Sequence, residues 1–406
     1  MSSVSSSATS PLSADDGFES PASGPYRLTG EELAWGCLAE PAGGAPRGKT
    51  MRLGNPVEVL EDVIRPAVAR PPCLVEFSGG RDSSLVLAAA VSVARKEGLP
   101  LPVAVTQRFP GIEEASEDSW QEEVVRHLGV TDWEHACYGS ELDLIGPLAR
   151  TVLARHGVVW PALAFQRLPH IELATGGALL GGEGGDEVFG PHRLTPVRQV
   201  LAGVVPVDRR AAKYVALSLA PRPFRRAGHR RLLERIDTPW LRRSARSQLM
   251  DMLARRAAAE PLDWRQSLRR DLRRRSVVVG LRTLDSLAEQ AGVLSVHPLL
   301  DPRFVDSVCA AGGVSGFINR TDAMRRLFGA LLPDAVLART SKARFNRVAF
   351  NDYSRAFVER WNGAGVPEDL VDAEGLRAAW DSPEPSAMTF PLLQHCWLAT
   401  EGTGNG

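Results

Sequence analysis

The chain has 406 residues, 44% hydrophobic and 24% charged, ordinary for a soluble globular protein and long enough for two or three domains around a sizeable core. Its 48 basic and 48 acidic residues cancel, so bulk charge gives no reason to invoke nucleic acid or a membrane surface as a partner. No run of about 18 apolar residues exists and the N-terminus lacks a basic-then-apolar signal pattern, which argues against a spanning helix and for a cytoplasmic chain. The five cysteines (Cys37, Cys73, Cys137, Cys309, Cys396) form no CxxC pair, which speaks against a zinc site or a disulfide framework.

In chain order, residues 1–25 are rich in Ser, Ala, Gly and Pro, without hydrophobic period, and read as a disordered tail. Residues 26–55 form a short extension whose Leu28, Leu33 and Trp35 suit packing against the body, with a loop over Gly43 to Lys49. Val57, Leu60, Val63, Ile64 and Val68 recur at helical spacing before Pro71. Cys73 to Phe77 is an apolar run of strand type, broken by Ser78-Gly79-Gly80-Arg81-Asp82-Ser83-Ser84 and followed by a helix from Leu85 to Lys96. A second strand is expected over Pro102 to Thr106, then helices over Ser116–Leu128 and Leu142–His156. This alternation predicts an α/β fold, a Rossmann-like parallel sheet with crossover helices over 56–200, and a mostly helical, Arg-rich region over 201–406.

A strand that ends in Ser-Gly-Gly and opens a helix gathers backbone N–H groups on one concave surface, an anion site suited to phosphate. Gly79 and Gly80 let the backbone approach closely, Ser78, Ser83 and Ser84 add hydroxyls, and Asp82 is a hard oxygen ligand for Mg²⁺. The bland alternative is a strand-to-helix turn with a Ser cap. The loop is neither a Walker A sequence nor GxGxxG. Phe77 to Ser84 resembles the pyrophosphate-binding loop of N-type ATP pyrophosphatases, most closely the synthetase domain of the asparagine synthetase family. The resemblance implies an adenine nucleotide alpha hydrolase-like fold, ATP and Mg²⁺, and carboxylate activation as an acyl-adenylate with release of pyrophosphate.

Gly181-Gly182-Glu183-Gly184-Gly185-Asp186-Glu187-Val188-Phe189-Gly190 is similar to the second signature of that family, about a hundred residues further on. Asp186 facing Asp82 would complete an oxygen shell for Mg²⁺. Glu183 is the implied residue for managing the incoming amine, because amide formation requires the nucleophile to lose a proton, and Gly182 lets the loop pass close to the nucleotide. Arg339-Thr340-Ser341-Lys342-Ala343-Arg344-Phe345 resembles the family's late Arg-x-x-Lys-x-x-Phe motif, which implies that Lys342 neutralises phosphate charge during acyl transfer.

Two departures shape the expectation. Leu294-Ser295-Val296-His297-Pro298-Leu299-Leu300-Asp301 keeps the family's Pro-x-Leu-Asp frame but has Leu294 and Val296 where Glu and Arg are common, a form more similar to specialised amide-forming relatives such as lasso peptide cyclases. Only about seventy residues precede the phosphate loop, too few for a glutaminase domain. The expected activity is therefore an AMP-forming amide ligase without its own glutamine hydrolysis, acting on a small-molecule or peptide carboxylate. A leader-peptide-binding or glutaminase partner is compatible with it. A free-ammonia asparagine synthetase and a non-catalytic ATP-binding scaffold are the alternatives, the second disfavoured by the intact Asp82, Glu183 and Asp186. A sulfur-transfer or tRNA-modifying relative would share the first loop but neither the second loop nor this cysteine pattern.

Other residues are given ordinary roles. Glu117 and Asp118 fit either an acidic pair near ATP or helix N-terminal acids. His127, His135, His156 and His170 lack metal-ligand spacing, Trp160, Trp240 and Trp264 read as core or interface aromatics, and the arginines over 222–275 read as the solvated face of packed helices rather than as a surface for an acidic peptide or nucleic acid.

Overall fold

The computed structural model describes residues 26–39, 54–112, 117–339 and 346–401. The tail over 1–25, the loop over Gly43 to Lys49 and Lys342 lie outside the described residues. Five parallel strands, β1 (Cys73–Glu76), β2 (Val103–Arg108), β3 (Trp133–Cys137), β4 (Ala178–Leu180) and β5 (Leu294–Val296), form one sheet in the order β3-β2-β1-β4-β5. Leu74 pairs with Val103 on one side of β1 and with Leu179 on the other. The Rossmann-like α/β fold expected from the sequence is present.

The helices are α1 (Gly30–Trp35), α2 (Pro56–Val68), α3 (Arg81–Glu97), α4 (Asp118–Leu128), α5 (Pro147–His156), α6 (Leu168–Leu173) and α7 (Gly185–Phe189), then α8 (Thr195–Leu201), α9 (Arg209–Leu219), α10 (Arg222–Leu233), α11 (Arg243–Ala258), α12 (Trp264–Leu272) and α13 (Arg275–Gln290). After β5 come α14 (Pro302–Gly312), α15 (Arg320–Phe328) and further helices ending with Phe390–Thr400. Alternate residues of a strand face opposite sides, and the core divides accordingly. Leu74, Val105 and Leu179 pack with α5, α11, α13 and Phe390–Thr400, whereas Cys73, Val75, Ala104, Ala178 and Leu180 pack with α2, α3, α14 and α15. Burial on both faces explains why β1 and β4 read as unbroken apolar runs.

The sequence-based boundaries shift at three places. The first crossover helix begins at Arg81, not Leu85, because Gly80 is its N-cap and the Gly80 carbonyl accepts from Ser84 N at 3.0 Å. Asp82, Ser83 and Ser84 therefore sit on its first turn. The helix expected from Leu142 starts at Pro147, where Pro presets the first turn, after a separate 3-10 turn over Ser140–Leu142. The second strand runs on to Arg108.

The Arg-rich helices differ from a plain solvated face. Arg225 is buried and donates to the carbonyls of Ala258 and Glu260, Arg269 pairs with Asp306 at 2.6 Å, and Arg270 donates to the carbonyl of Arg256 at 2.7 Å. Arg225 and Arg270 thus satisfy carbonyls at the C-terminal end of α11, and Arg269 ties α12 to α14. No helix among the described residues is long and apolar enough to cross a membrane.

Candidate active site

The chain runs outward from β1 to β3 on one side of the sheet and then from β4 to β5 on the other. The loops after β1 and β4 thus leave neighbouring strand ends where the strand order reverses, the place where open parallel sheets take ligands. They bound a cleft of about 600 Å³, inside the range of small-molecule sites, roughly 300–1,000 Å³.

In the first loop, Ser78 N donates to Ser83 Oγ at 3.2 Å, Ser83 Oγ donates to the Gly80 carbonyl at 3.1 Å, and Gln121 Nε2 donates to the Ser78 carbonyl at 2.9 Å. Gly79 has φ +82°, and a Cβ there would meet the Gln121 side chain at 2.7 Å. Gly80 caps α3 without a side-chain hydrogen bond, so no cap side chain competes for the first-turn N–H groups. The second loop presses on the first. A Cβ on Gly182 would lie 3.0 Å from Ser83 N, and one on Gly185 would lie 2.0 Å from Asp82 Cγ. Glycine at 185 is what allows Asp82 and Asp186 into one place.

Arg320, the first residue of α15, spans both carboxylates: Nη1 donates to Asp186 Oδ1 at 2.5 Å and Nη2 to Asp82 Oδ2. Burial works against its charge, but Asp82 and Asp186 outweigh that and raise its pKa. Asp82 Oδ1 is buried with no hydrogen-bond partner among the described residues. Two carboxylates within one guanidinium's span and an orphaned oxygen fit a hard divalent cation. Among the described residues no three His, Cys, Asp or Glu side chains gather as a complete metal site, so phosphate oxygens would have to finish the shell. Arg339 closes this end of the cleft. It donates to the Gly79 carbonyl at 2.7 Å and pairs with Glu117, both side chains being buried. Asp118 instead pairs with Arg108.

The other end carries a second charged cluster. Glu76, at the end of β1, accepts from Arg167 Nε at 2.8 Å, and its other carboxylate oxygen lies 2.8 Å from His170 Nδ1. Arg167 Nη2 lies 3.2 Å from Glu183 Oε1, and Glu183 Oε2 lies 3.0 Å from His297 Nδ1. Arg167 Nη1 and His170 Nε2 are buried and unpartnered among the described residues. Burial alone would push up the carboxyl pKa values of Glu76 and Glu183, but Arg167 leads the opposing groups and both end below their usual range. Phe109, Pro161, Leu163 and Leu284 supply an apolar wall.

Ser78, Gly80, Asp82, Ser83, Gly182, Glu183 and Asp186 all line this cleft. Gly79 shapes the loop from behind, and Ser84 is fully buried within α3. His170, given an ordinary role from spacing, lines the cleft against Glu76. Reasoning from sequence did not single out Glu76, Arg167, Asp285 or Arg320. An acid ending the apolar run Cys73-Leu74-Val75-Glu76 was a usable signal, as was Arg339 heading the late motif, whereas Arg167 and Arg320 had none.

A parallel sheet with two glycine-rich loops meeting at its reversal point, one of them opening a helix, is the frame of a nucleotide-binding α/β protein. The family model described as asparagine synthase matches residues 58–398, and the chain belongs to that family of ATP-dependent amide ligases, which use ATP, usually with Mg²⁺. No curated protein matches it.

Proposed function

We propose that the chain is an AMP-forming ligase that activates a carboxylate as an acyl-adenylate and passes the acyl group to an amine. The observation that carries this reading is the meeting of Asp82, Asp186 and Glu183 in one cleft, the first two bridged by a single guanidinium and the third held at the opposite end. The Ser78–Ser83 loop and the start of α3 would take the pyrophosphate part of ATP. Mg²⁺, held by Asp82 and Asp186, would offset phosphate charge. Arg81, Arg320 and Arg339 place three further cations at that end, and Lys342, outside the described residues, is proposed to reach the same phosphates. Glu183 faces the amine. The acyl donor is a small-molecule or peptide carboxylate, and specialised metabolism, including macrolactam closure on a peptide, suits the Leu294 and Val296 substitutions. The amine comes from the substrate, free ammonia or a partner.

The test is product analysis with Mg-ATP, aspartate and ammonium. AMP, pyrophosphate and asparagine together make it a free-ammonia asparagine synthetase, while ATP binding without turnover of aspartate directs the search to peptide carboxylates. Failure to bind ATP overturns the reading.

A further inference from the structure

His297 has a carboxylate on each side. Its Nδ1 lies 3.0 Å from Glu183 Oε2 and its Nε2 lies 3.1 Å from Asp285 Oδ1, with Ser295 Oγ also 3.1 Å from Nε2. An ionised carboxylate offers only lone pairs, and a neutral imidazole has only one N–H. A neutral ring would therefore set a bare nitrogen against one carboxylate. The geometry asks for a proton on both nitrogens, in a side chain only 7% exposed. Burial opposes that charge, but the hydrogen bonds to Asp285 and Glu183 outweigh it and raise the pKa to about 9. The groups facing the ring are Glu183 from the loop after β4, Asp285 from α13 and Ser295 from β5, with Arg167 and then Glu76 one side chain further.

The consequence falls on Glu183. It takes hydrogen bonds from His297 and Arg167, which fix its carboxylate and keep it ionised. Such a group keeps a proton poorly but accepts a hydrogen bond well. We propose that His297 and Asp285 are positioning residues acting through Glu183: the clamped imidazolium orients the Glu183 carboxylate as a fixed acceptor for the N–H groups of the acyl-accepting amine. This rests on the ligase reading and deepens it: Glu183 orients the amine, the C–N bond forms as the acyl–phosphate bond to AMP breaks, and the proton the amine loses passes to the departing AMP phosphate or to solvent.

Two measurements on the full chain test it. With ¹⁵N-histidine labelling and assignment by H297Q, both His297 ring nitrogens are expected to be protonated at neutral pH, titrating near 9. In D285N and E183Q the midpoint is expected to fall by about one unit or more. Asp285 is 35% exposed, so D285N keeps the experiment alive if H297Q does not fold. A His297 that titrates in the ordinary histidine range, or is unmoved in D285N, overturns the clamp. In the second measurement hydroxylamine is the amine probe, with aspartate or a peptide carboxylate and Mg-ATP. D285N is expected to leave ATP–pyrophosphate exchange within about twofold while raising the KM for hydroxylamine roughly tenfold and lowering the alkaline limit of transfer. Equal loss of exchange and transfer overturns the positioning role. A wild-type chain that shows the clamped histidine but exchanges no pyrophosphate overturns the ligase reading instead.

Discussion

The two ends of the cleft hold charge in different ways. At the phosphate end, Asp82 and Asp186 stand on two short glycine-rich segments and share one guanidinium, with Asp82 Oδ1 left over. At the other end Glu76, Arg167, His170, Glu183, His297 and Asp285 bond mainly to one another. The first arrangement has capacity for added charge, as a polyanion with its cation requires. The second has already satisfied most of its own charge and instead fixes the orientation of Glu183. On the proposed reading, charge in one cleft serves capture at one end and orientation at the other.

Substitutions can break that contrast. The largest expected effect is at Arg339, whose removal deprives the buried Glu117 carboxylate and the Gly79 carbonyl of a donor. R339A should lose about 3–5 kcal/mol of stability in urea unfolding, and a change below about 1 kcal/mol would mean that the pair is hydrated. D82N should cut pyrophosphate release by about a hundredfold or more at unchanged thermal stability; retained release would sink the phosphate-end assignment. E76Q weakens the partner of Arg167 and His170 and should cost about 2–3 kcal/mol of stability while ATP affinity stays put. A matching fall in ATP affinity would merge the two ends into one network. Lowest is R226A, at an exposed pair with Asp251, expected within about 0.5 kcal/mol of wild type.

The phosphate end was legible because each of its loops is a contiguous string, Ser78 to Ser84 and Gly181 to Gly190, in which glycine, hydroxyl and acid positions occur together. The first strand was legible for a related reason: double-sided burial leaves Cys73-Leu74-Val75 as an unbroken apolar run. The edge strands were not. β3, Trp-Glu-His-Ala-Cys, is largely exposed, and β5 is only partly buried along its length, so neither shows an apolar run or a clean alternation. The clamp was illegible for a topological reason. Its residues come from β1, the turn before α6, the loop after β4, α13 and the residue following β5, and only the folded sheet brings them together. His170 shows the same limit, since spacing tests ask about neighbours in sequence and its partner is Glu76.

The small helix α1 carries a practical warning about where this protein ends. Trp35 Nε1 donates to the Ala245 carbonyl at 3.2 Å, and Trp240 Nε1 donates back to the Ala34 carbonyl at 3.0 Å. Glu32, fully buried, pairs with Arg275 at the head of α13, the helix that carries Asp285. The family match begins only at residue 58. A chain trimmed to that boundary would strip the half-buried Arg275 of its counter-charge Glu32 and open one wall of the core, loosening the helix that anchors the outer carboxylate of the histidine clamp. The packed core thus reaches further toward the N-terminus than the family match does, at least to Leu33.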